Sequence, residues 1–382
     1  MHALRHGALA YGALAYAALA CAALFAGCLA RVDPHTFENF ASRVEIVADV
    51  SSLGSGTSGT ESRVIGEGDI IAVFSREYES FLQKEASSGS FSVLFLRTTS
   101  RDVSRCTPFI LNGNAYFMTR KPGTELAAGF AISGANVGSV VATVRAPTSV
   151  TPTGVGYGDE RGFVFILRSP AELWAVKPDG VTVEAKIPIS DPDSYLAMSR
   201  LPNGVVMAVK LNALTTADLA TQQLTTISLE RQTELPVTNI TPFGAVLPYA
   251  DNAAFVVEGG KTIYTVRADS FDAAEVTTRQ EKALNARSIV FDGARRHLVV
   301  ANGIGGIILF DAKNPEALVY LNRASSTNIG GQISYNASDD SFAAATTPVS
   351  AVYKIFTPES SPARARASSV RRSPARRSAA IA

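Results

Sequence analysis

The sequence is poor in the residues that carry most catalytic and metal chemistry. Its 382 residues include four histidines: His2, His6, His35 and His297. Two lie in an apolar N-terminal segment and His35 in the stretch that follows, so His297 is alone in the body of the chain. A histidine-built metal cluster is excluded there. A nucleophile–base–acid triad would have to run through His297 itself, which follows Arg295-Arg296 at a strand start and reads as structural. Cysteine is equally scarce: Cys21, Cys28 and Cys106. If Cys28 is lipid-modified and Cys21 removed, Cys106 remains without an intramolecular disulfide partner, so a packed core must hold the fold; Cys106 itself reads as a small apolar residue rather than a reactive thiol. No Cys-x-x-Cys, His-Glu-x-x-His, P-loop or Gly-x-Ser-x-Gly pattern occurs. The expectation is therefore no catalytic, cofactor-binding or metal-ligating residue.

Charge is also thin. Charged residues make up 18% of the chain, against ~25% in ordinary soluble domains. The net charge is +1, unevenly spread: Ser361 to Ala382 holds six arginines and no acid, which leaves −5 for the rest. The folded part has no basic nucleic-acid footprint, and no specific nucleic-acid partner is expected. The tail (359–382) has too few large apolar residues to order itself. Its clustered arginines suit contact with a polyanion.

Three weak motifs resolve into turns and loops. Gly54 to Gly59 matches Gly-x-Gly-x-x-Gly, but the chain turns β-like at Asp69 to Phe74 instead of opening a helix. Asp191-Pro192-Asp193-Ser194 offers oxygens to Ca²⁺ but lacks the glycine and further ligands of a loop site. Asp339-Asp340 is a turn of the same kind. The single tryptophan, Trp174, and Tyr264 read as packing residues.

What the chain has is repetition. Ser288 to Asn322 contains four short β-rich runs: Ser288–Phe291, His297–Ala301, Ile307–Phe310 and Ala317–Leu321. Asp292-Gly293, Asn302-Gly303 and Asn314-Pro315 separate them, so the stretch reads as a β-meander. A lone meander is marginal in water and needs neighbours. Turn pairs leading into apolar runs recur at positions 68, 113, 162, 204, 252, 293 and 340, with gaps of 41–49 residues. Third strands are expected at Glu172–Lys177, Thr262–Arg267, Ile307–Asp311 and Ala351–Phe356. The period predicts an all-β β-propeller of about seven four-stranded blades over residues 44–358. Val44–Val50 is expected to close the ring by completing the last blade, covering an edge that would otherwise template pairing. In the first repeat, Tyr78, Phe81 and Leu82 have helical spacing and suggest a turn or two of helix inserted between strands.

The N-terminus supplies an address. Residues 1–30 form a targeting segment, with Arg5 in a short basic lead and no charge from Gly7 to Ala30. Residues 31–43 read as a tether. Leu24-Phe25-Ala26-Gly27-Cys28 resembles the bacterial lipobox, with Phe25 where leucine is usual. That resemblance implies lipid attachment at Cys28 and a membrane-anchored protein of the bacterial envelope, on its periplasmic or surface face; ordinary signal-peptidase cleavage near Ala30 and an uncleaved anchor are the other readings of the segment. Asn302 to Asp311, followed by Asn314-Pro315, resembles a blade of the LVIVD and YVTN-type propeller repeats of bacterial surface proteins. Glu172 to Gly180 resembles the corresponding strand and turn of quinoprotein-like and NHL-type blades. These families imply a propeller and mostly binding or scaffolding roles, and they do not fix a ligand. The leading expectation is a non-enzymatic protein that binds or scaffolds a protein or ligand partner. Two alternatives remain open: a hydrolase like the phosphogluconolactone-type lactonases, with its site at the central mouth, and an accessory subunit of envelope protein assembly, which would show an exposed apolar patch on a blade.

Overall fold

The computed structural model describes residues 43–49, 63–74, 78–86, 90–98, 101–103, 107–229, 243–281, 284–302, 306–324, 332–336, 341–344 and 351–356. Cys28, Cys106, the Gly54–Gly59 loop, Asp339-Asp340 and the arginine tail lie outside them.

Among the described residues, twenty-seven strands form antiparallel meanders. An N-terminal strand β1 (Arg43–Asp49) precedes the first meander: β2 (Arg63–Glu67), β3 (Ile70–Phe74), β4 (Tyr78–Lys84) and β5 (Phe91–Thr98). Next come β6 (Phe109–Leu111), β7 (Asn114–Met118), β8 (Gly123–Ala131), β9 (Val140–Asp159), β10 (Gly162–Ser169), β11 (Glu172–Val176) and β12 (Val183–Pro188), which make one seven-stranded sheet. Three four-stranded sheets follow. They are β13 (Tyr195–Arg200), β14 (Val206–Lys210), β15 (Ala213–Asp218) and β16 (Gln223–Ser228); then β17 (Ala245–Ala250), β18 (Ala253–Glu258), β19 (Thr262–Ala268) and β20 (Ala274–Glu281); then β21 (Ser288–Asp292), β22 (His297–Ala301), β23 (Ile307–Asp311) and β24 (Val319–Ala324). The last sheet joins β25 (Ile333–Asn336), β26 (Ser341–Ala344) and β27 (Ala351–Phe356) to β1.

The long strand β9 serves two ladders. Residues 140–150 pair with β8 and residues 151–159 with β10. The hydrogen-bonded sheets therefore number six, or seven four-stranded units if β9 is counted in both. The six turn anchors among the described residues, 68, 113, 162, 204, 252 and 293, fall at the first hairpin of a unit, and the seventh, 340, lies outside them. The left-handed positions there are taken by residues that tolerate them, such as Gly68 (φ 55°) and Asn112-Gly113 (φ 51° and 70°).

The strand after each of these hairpins has a mainly apolar run because both of its faces are covered. β3, β18 and the first six residues of β10 are buried at every position. Neighbouring units close over them, and the apolar clusters lie between units rather than within one. One cluster joins Phe74 and Phe81 of the first unit to Phe117 and Phe130 of the next and to Phe165 and Trp174 beyond. Others link β10 to β14, β14 to β18, β18 to β22 and β22 to β26. A last one brings Ala343 of β26 against Val64, Ile71 and Val73 of the first unit. Each fully buried Phe or Leu side chain contributes about 1.5–3 kcal/mol, so every unit depends on its neighbours.

The innermost strands follow one another round the ring: β6, β9, β13, β17, β21, β25 and β2. Asn336 Nδ2 donates to Gly68 O at 2.7 Å, and Gly66 N to Ser334 Oγ at 3.3 Å, joining last unit to first. β1 pairs with β27 from Arg43↔Phe356 to Asp49↔Ala351. The N-terminal strand thus completes the final sheet, as expected, and the fold is a β-propeller.

One element differs from the sequence expectation. Residues 78–84 are strand β4, not an inserted helical turn. β4 pairs with both β3 and β5, and Glu79 to Leu82 are all buried. A helix buries one stripe, whereas this segment is covered on both faces. The spacing of Tyr78, Phe81 and Leu82 fits either period over so short a run.

Candidate functional site

The cavity described by the structure lies between the first two units, away from the axis. It has a volume of about 400 Å³. One wall is the third and fourth strands of the first unit and the residues after them: Glu79, Arg97, Thr98 and Arg101. The other is the β7–β8 turn of the next unit, Thr119 to Glu125.

Glu79 organises this cavity. It sits on β4 beside Phe81, with its side chain 1% exposed. Arg97 Nε donates to its Oε2 at 2.5 Å and Arg101 Nη1 to its Oε1 at 2.8 Å. Arg101 Nε also donates to Glu125 Oε1 at 2.6 Å, and Arg97 Nη2 to Gly138 O at 3.2 Å. Both guanidinium groups lie over the ring of Phe130, at 5.7 and 5.4 Å from its centre, an arrangement that favours a cation. Burial pulls the Arg101 pKa down, but the bonds to Glu125 and Glu79 outweigh it and hold the group above its ordinary value. Both arginines are thus fixed in position by their bonds to Glu79.

The lining holds one cation more than its anions: Arg97, Arg101 and Lys121 against Glu79 and Glu125. Lys121 is exposed, and its ammonium makes no ion pair among the described residues. Thr98 and Thr124 add hydroxyls at the rim. The arrangement suits recognition of an anionic or polar group.

A second charged cluster lies where the first hairpins of two neighbouring units meet. Arg200, nearly buried, donates from Nη1 to Asp159 Oδ1 at 3.0 Å. Arg161 donates to Asp159 Oδ2 at 2.7 Å and to the carbonyls of Leu201 and Pro202, each at 3.0 Å. Desolvation lowers the Arg200 pKa against the pull of Asp159. Asp159 and Arg161 stitch β9–β10 to β13–β14, so this cluster is spent on holding units together.

The residues singled out from the sequence fall as follows. His297 is half-buried on β22, cross-strand from Asp292 and Asp311, and its buried Nδ1 has no hydrogen-bond partner. Asp191–Ser194 is a turn containing a short 3₁₀ segment, in which Asp193 accepts from Arg168 Nη2 at 2.6 Å. Trp174 and Tyr264 are buried on third strands. Trp174 Nε1 donates to Glu172 Oε2 at 2.5 Å, and Lys186 Nζ stands 4.3 Å from its ring centre. Among the described residues, no three His, Cys, Asp or Glu side chains converge as a metal site would require. Sequence reasoning missed Glu79, Arg97, Arg101, Lys121 and Glu125. A signal was there: an acid inside a buried strand needs a cation, and Arg97 and Arg101 are the nearest arginines that follow.

No family model matches the sequence and no curated protein matches it. Solved structures do, among them WD40 and β-propeller domains. The WD40 domain of Toxoplasma gondii coronin superposes with a TM-score of 0.59 at 12% identity, covering 83% of this chain and 87% of that one. The β-propeller domain of Cps50 (Swd1) from Myceliophteria thermophila gives 0.56 at 12% identity, covering 81% and 99%. A chain of a mitotic checkpoint complex gives 0.57 at 11% identity, covering 82% and 91%. At such identities the likeness concerns the fold alone.

Proposed function

We propose that this protein is a non-enzymatic lipoprotein of the bacterial envelope, anchored through Cys28, whose propeller binds or scaffolds a protein partner. Its blades are of the LVIVD, YVTN or NHL-like kind. The observation that carries the binding reading is the surface of the first two units. The outer strand β5 exposes Val93, Leu94 and Leu96, and the start of β9 exposes Val140 and Val141. Arg97, bonded to Gly138, stands between them at the edge of the cavity. Exposed aliphatic side chains beside fixed charges are the make-up of a protein-docking surface. The same patch supports a second reading, an accessory subunit of envelope protein assembly. The arginine tail contributes a non-specific contact with a polyanion.

The anchoring reading is tested by labelling wild type and Cys28→Ala with radioactive palmitate in a bacterial host. Label on wild type and none on the variant is the expected result; equal labelling overturns lipid attachment at Cys28. The binding reading is tested by capture from native membranes with the full chain and with a chain ending before Ser361. A defined protein recovered with both places the binding in the propeller; loss of that protein with the shorter chain assigns it to the tail instead.

A further inference from the structure

Every propeller sheet ends in an outer strand with unpaired backbone groups, and such edges are commonly blunted by charge, proline or short length. Among the described outer strands, β12, β16 and β20 follow that rule, whereas β24 and the longer β5 expose apolar side chains. β12 exposes Glu184, Lys186 and Pro188. β16 exposes Gln223, Thr226 and Ser228. β20 sets Glu275 beside its exposed Val276. β24 exposes Val319 and Tyr320. β5 is eight residues long, carries no charge before Arg97, and exposes Val93 at 37%, Leu94 at 44% and Leu96 at 42%. It is the last strand of its sheet. Its C-terminal end, Arg97 and Thr98, runs into the cavity whose lining has a surplus cation in Lys121.

We propose that β5 is a strand-pairing edge: an extended segment of a partner protein adds to it as a fifth strand, and an acidic side chain of that segment enters the cavity beside Lys121. This rests on the protein-binding reading above and names its site and the chemistry of the partner. Backbone hydrogen bonds to β5 supply the affinity. Aliphatic side chains of the segment meet Val93, Leu94 and Leu96. The acidic group supplies register and direction, because the cavity lies at one end of the strand only. In antiparallel pairing the partner's N-terminal side meets Thr98, so the acidic residue leads the segment. Arg97 and Arg101 are already held by Glu79 and Glu125, which leaves Lys121 as the group that takes the incoming carboxylate.

The test uses the full chain in detergent and a fluorescent peptide of about ten residues, valine and threonine alternating behind an N-terminal aspartate. Anisotropy is expected to show saturable binding that weakens about tenfold when the aspartate becomes lysine. Lys121→Glu should reverse that preference. Leu94→Glu with Leu96→Glu should abolish binding of either peptide, whereas Val319→Glu on β24 should not. A change on the peptide removes any dependence on the variants' folding: N-methylation of alternate residues should abolish binding in one register and spare it in the other. Equal loss or equal retention in both registers overturns strand pairing, as does no binding by wild type. Unchanged preference in Lys121→Glu overturns the acidic contact. Wild type sedimenting as a dimer that Leu94→Glu dissociates would give the edge to a second copy and overturn the proposal. If native-membrane capture succeeds with wild type and survives Leu94→Glu with Leu96→Glu, this inference fails while the protein-binding reading stands. If wild type captures nothing and binds no peptide, both fail.

Discussion

Glu79→Ala should destabilise the propeller far more than loss of a surface ion pair. Glu79 accepts two charge-assisted hydrogen bonds, from Arg97 and Arg101, each worth about 1.5–3 kcal/mol. The gross loss must be discounted, because the partners are not trapped. Arg97 is 41% exposed and Arg101 23%, so both regain water. Arg101 keeps Glu125, and Arg97 keeps Gly138 O and the face of Phe130. The remaining cost is about 2–3 kcal/mol, below the 3–5 kcal/mol of a fully buried pair broken on one side. For a fold of this size that lowers the thermal midpoint by about 4–6 °C, read by circular dichroism. Arg267→Ala is the control. It removes an exposed pair with Glu275 and should cost less than about 0.5 kcal/mol. Arg101→Ala, alone and combined with Glu79→Ala, completes a double-mutant cycle in which the two changes should couple. A Glu79→Ala protein melting within about 1 °C of wild type, or strict additivity in the cycle, refutes Glu79 as the centre of the network.

Two further outcomes follow from the same structure. His297 is held below its ordinary pKa of 6.5, first by desolvation, against the pull of Asp292 and Asp311. The unfolded chain therefore binds the proton more readily, so stability is fully present above pH 6.5 and is lost as pH falls through the lower folded value. Midpoints measured across that window should fall for wild type, and His297→Gln should flatten the slope; an unchanged slope refutes the assignment. Removing residues 1–49 takes away β1 and leaves β27 as an uncovered edge. The truncated protein should melt earlier and aggregate at concentrations where the longer chain stays dispersed, as light scattering would show.

Much of the ring was legible because propeller packing writes itself into the chain. A second strand covered by both neighbouring units needs an apolar run at its centre, and Ile70–Phe74, Phe163–Leu167 and Ala253–Val257 are such runs. Each follows a tight turn, so turn and run together marked the period. β9 was not legible. It passes from one unit to the next as a single strand through Pro147 and Pro152, with the ladder changing partner at Val150–Thr151 and no turn residue at the boundary. β4 was misread because seven residues are too few for Tyr78, Phe81 and Leu82 to separate a period of two from one of 3.6. The cavity escaped for another reason. Its charges come from two units, at positions 79, 97, 101, 121 and 125, and only the stacking of those units brings them together. A repeat-by-repeat reading treats each charge as a solvated face.

The same logic separates structural from functional charge in this ring. Asp159, Arg161 and Arg200 join two hairpins and bond to each other and to backbone carbonyls, although the buried Nε of Arg200 has no partner among the described residues. Replacing them with an apolar contact of the same shape would leave the architecture intact, since buried ion pairs are often neutral in net stability. The Glu79 cluster differs in what it leaves over. Two arginines fixed by two glutamates make a rigid, nearly neutral wall, and Lys121 adds a charge that this wall does not need. An exposed lysine alone would mean little. Here it stands at the end of β5, which exposes three aliphatic side chains before its first charge. A propeller kept only for stability would gain from a glutamate at Leu94 or Leu96, which would blunt the edge at almost no cost to the core. Such substitutions should therefore leave the melting point unchanged and act on binding alone; a fall in binding with an unchanged melting point would support the proposed strand-pairing edge.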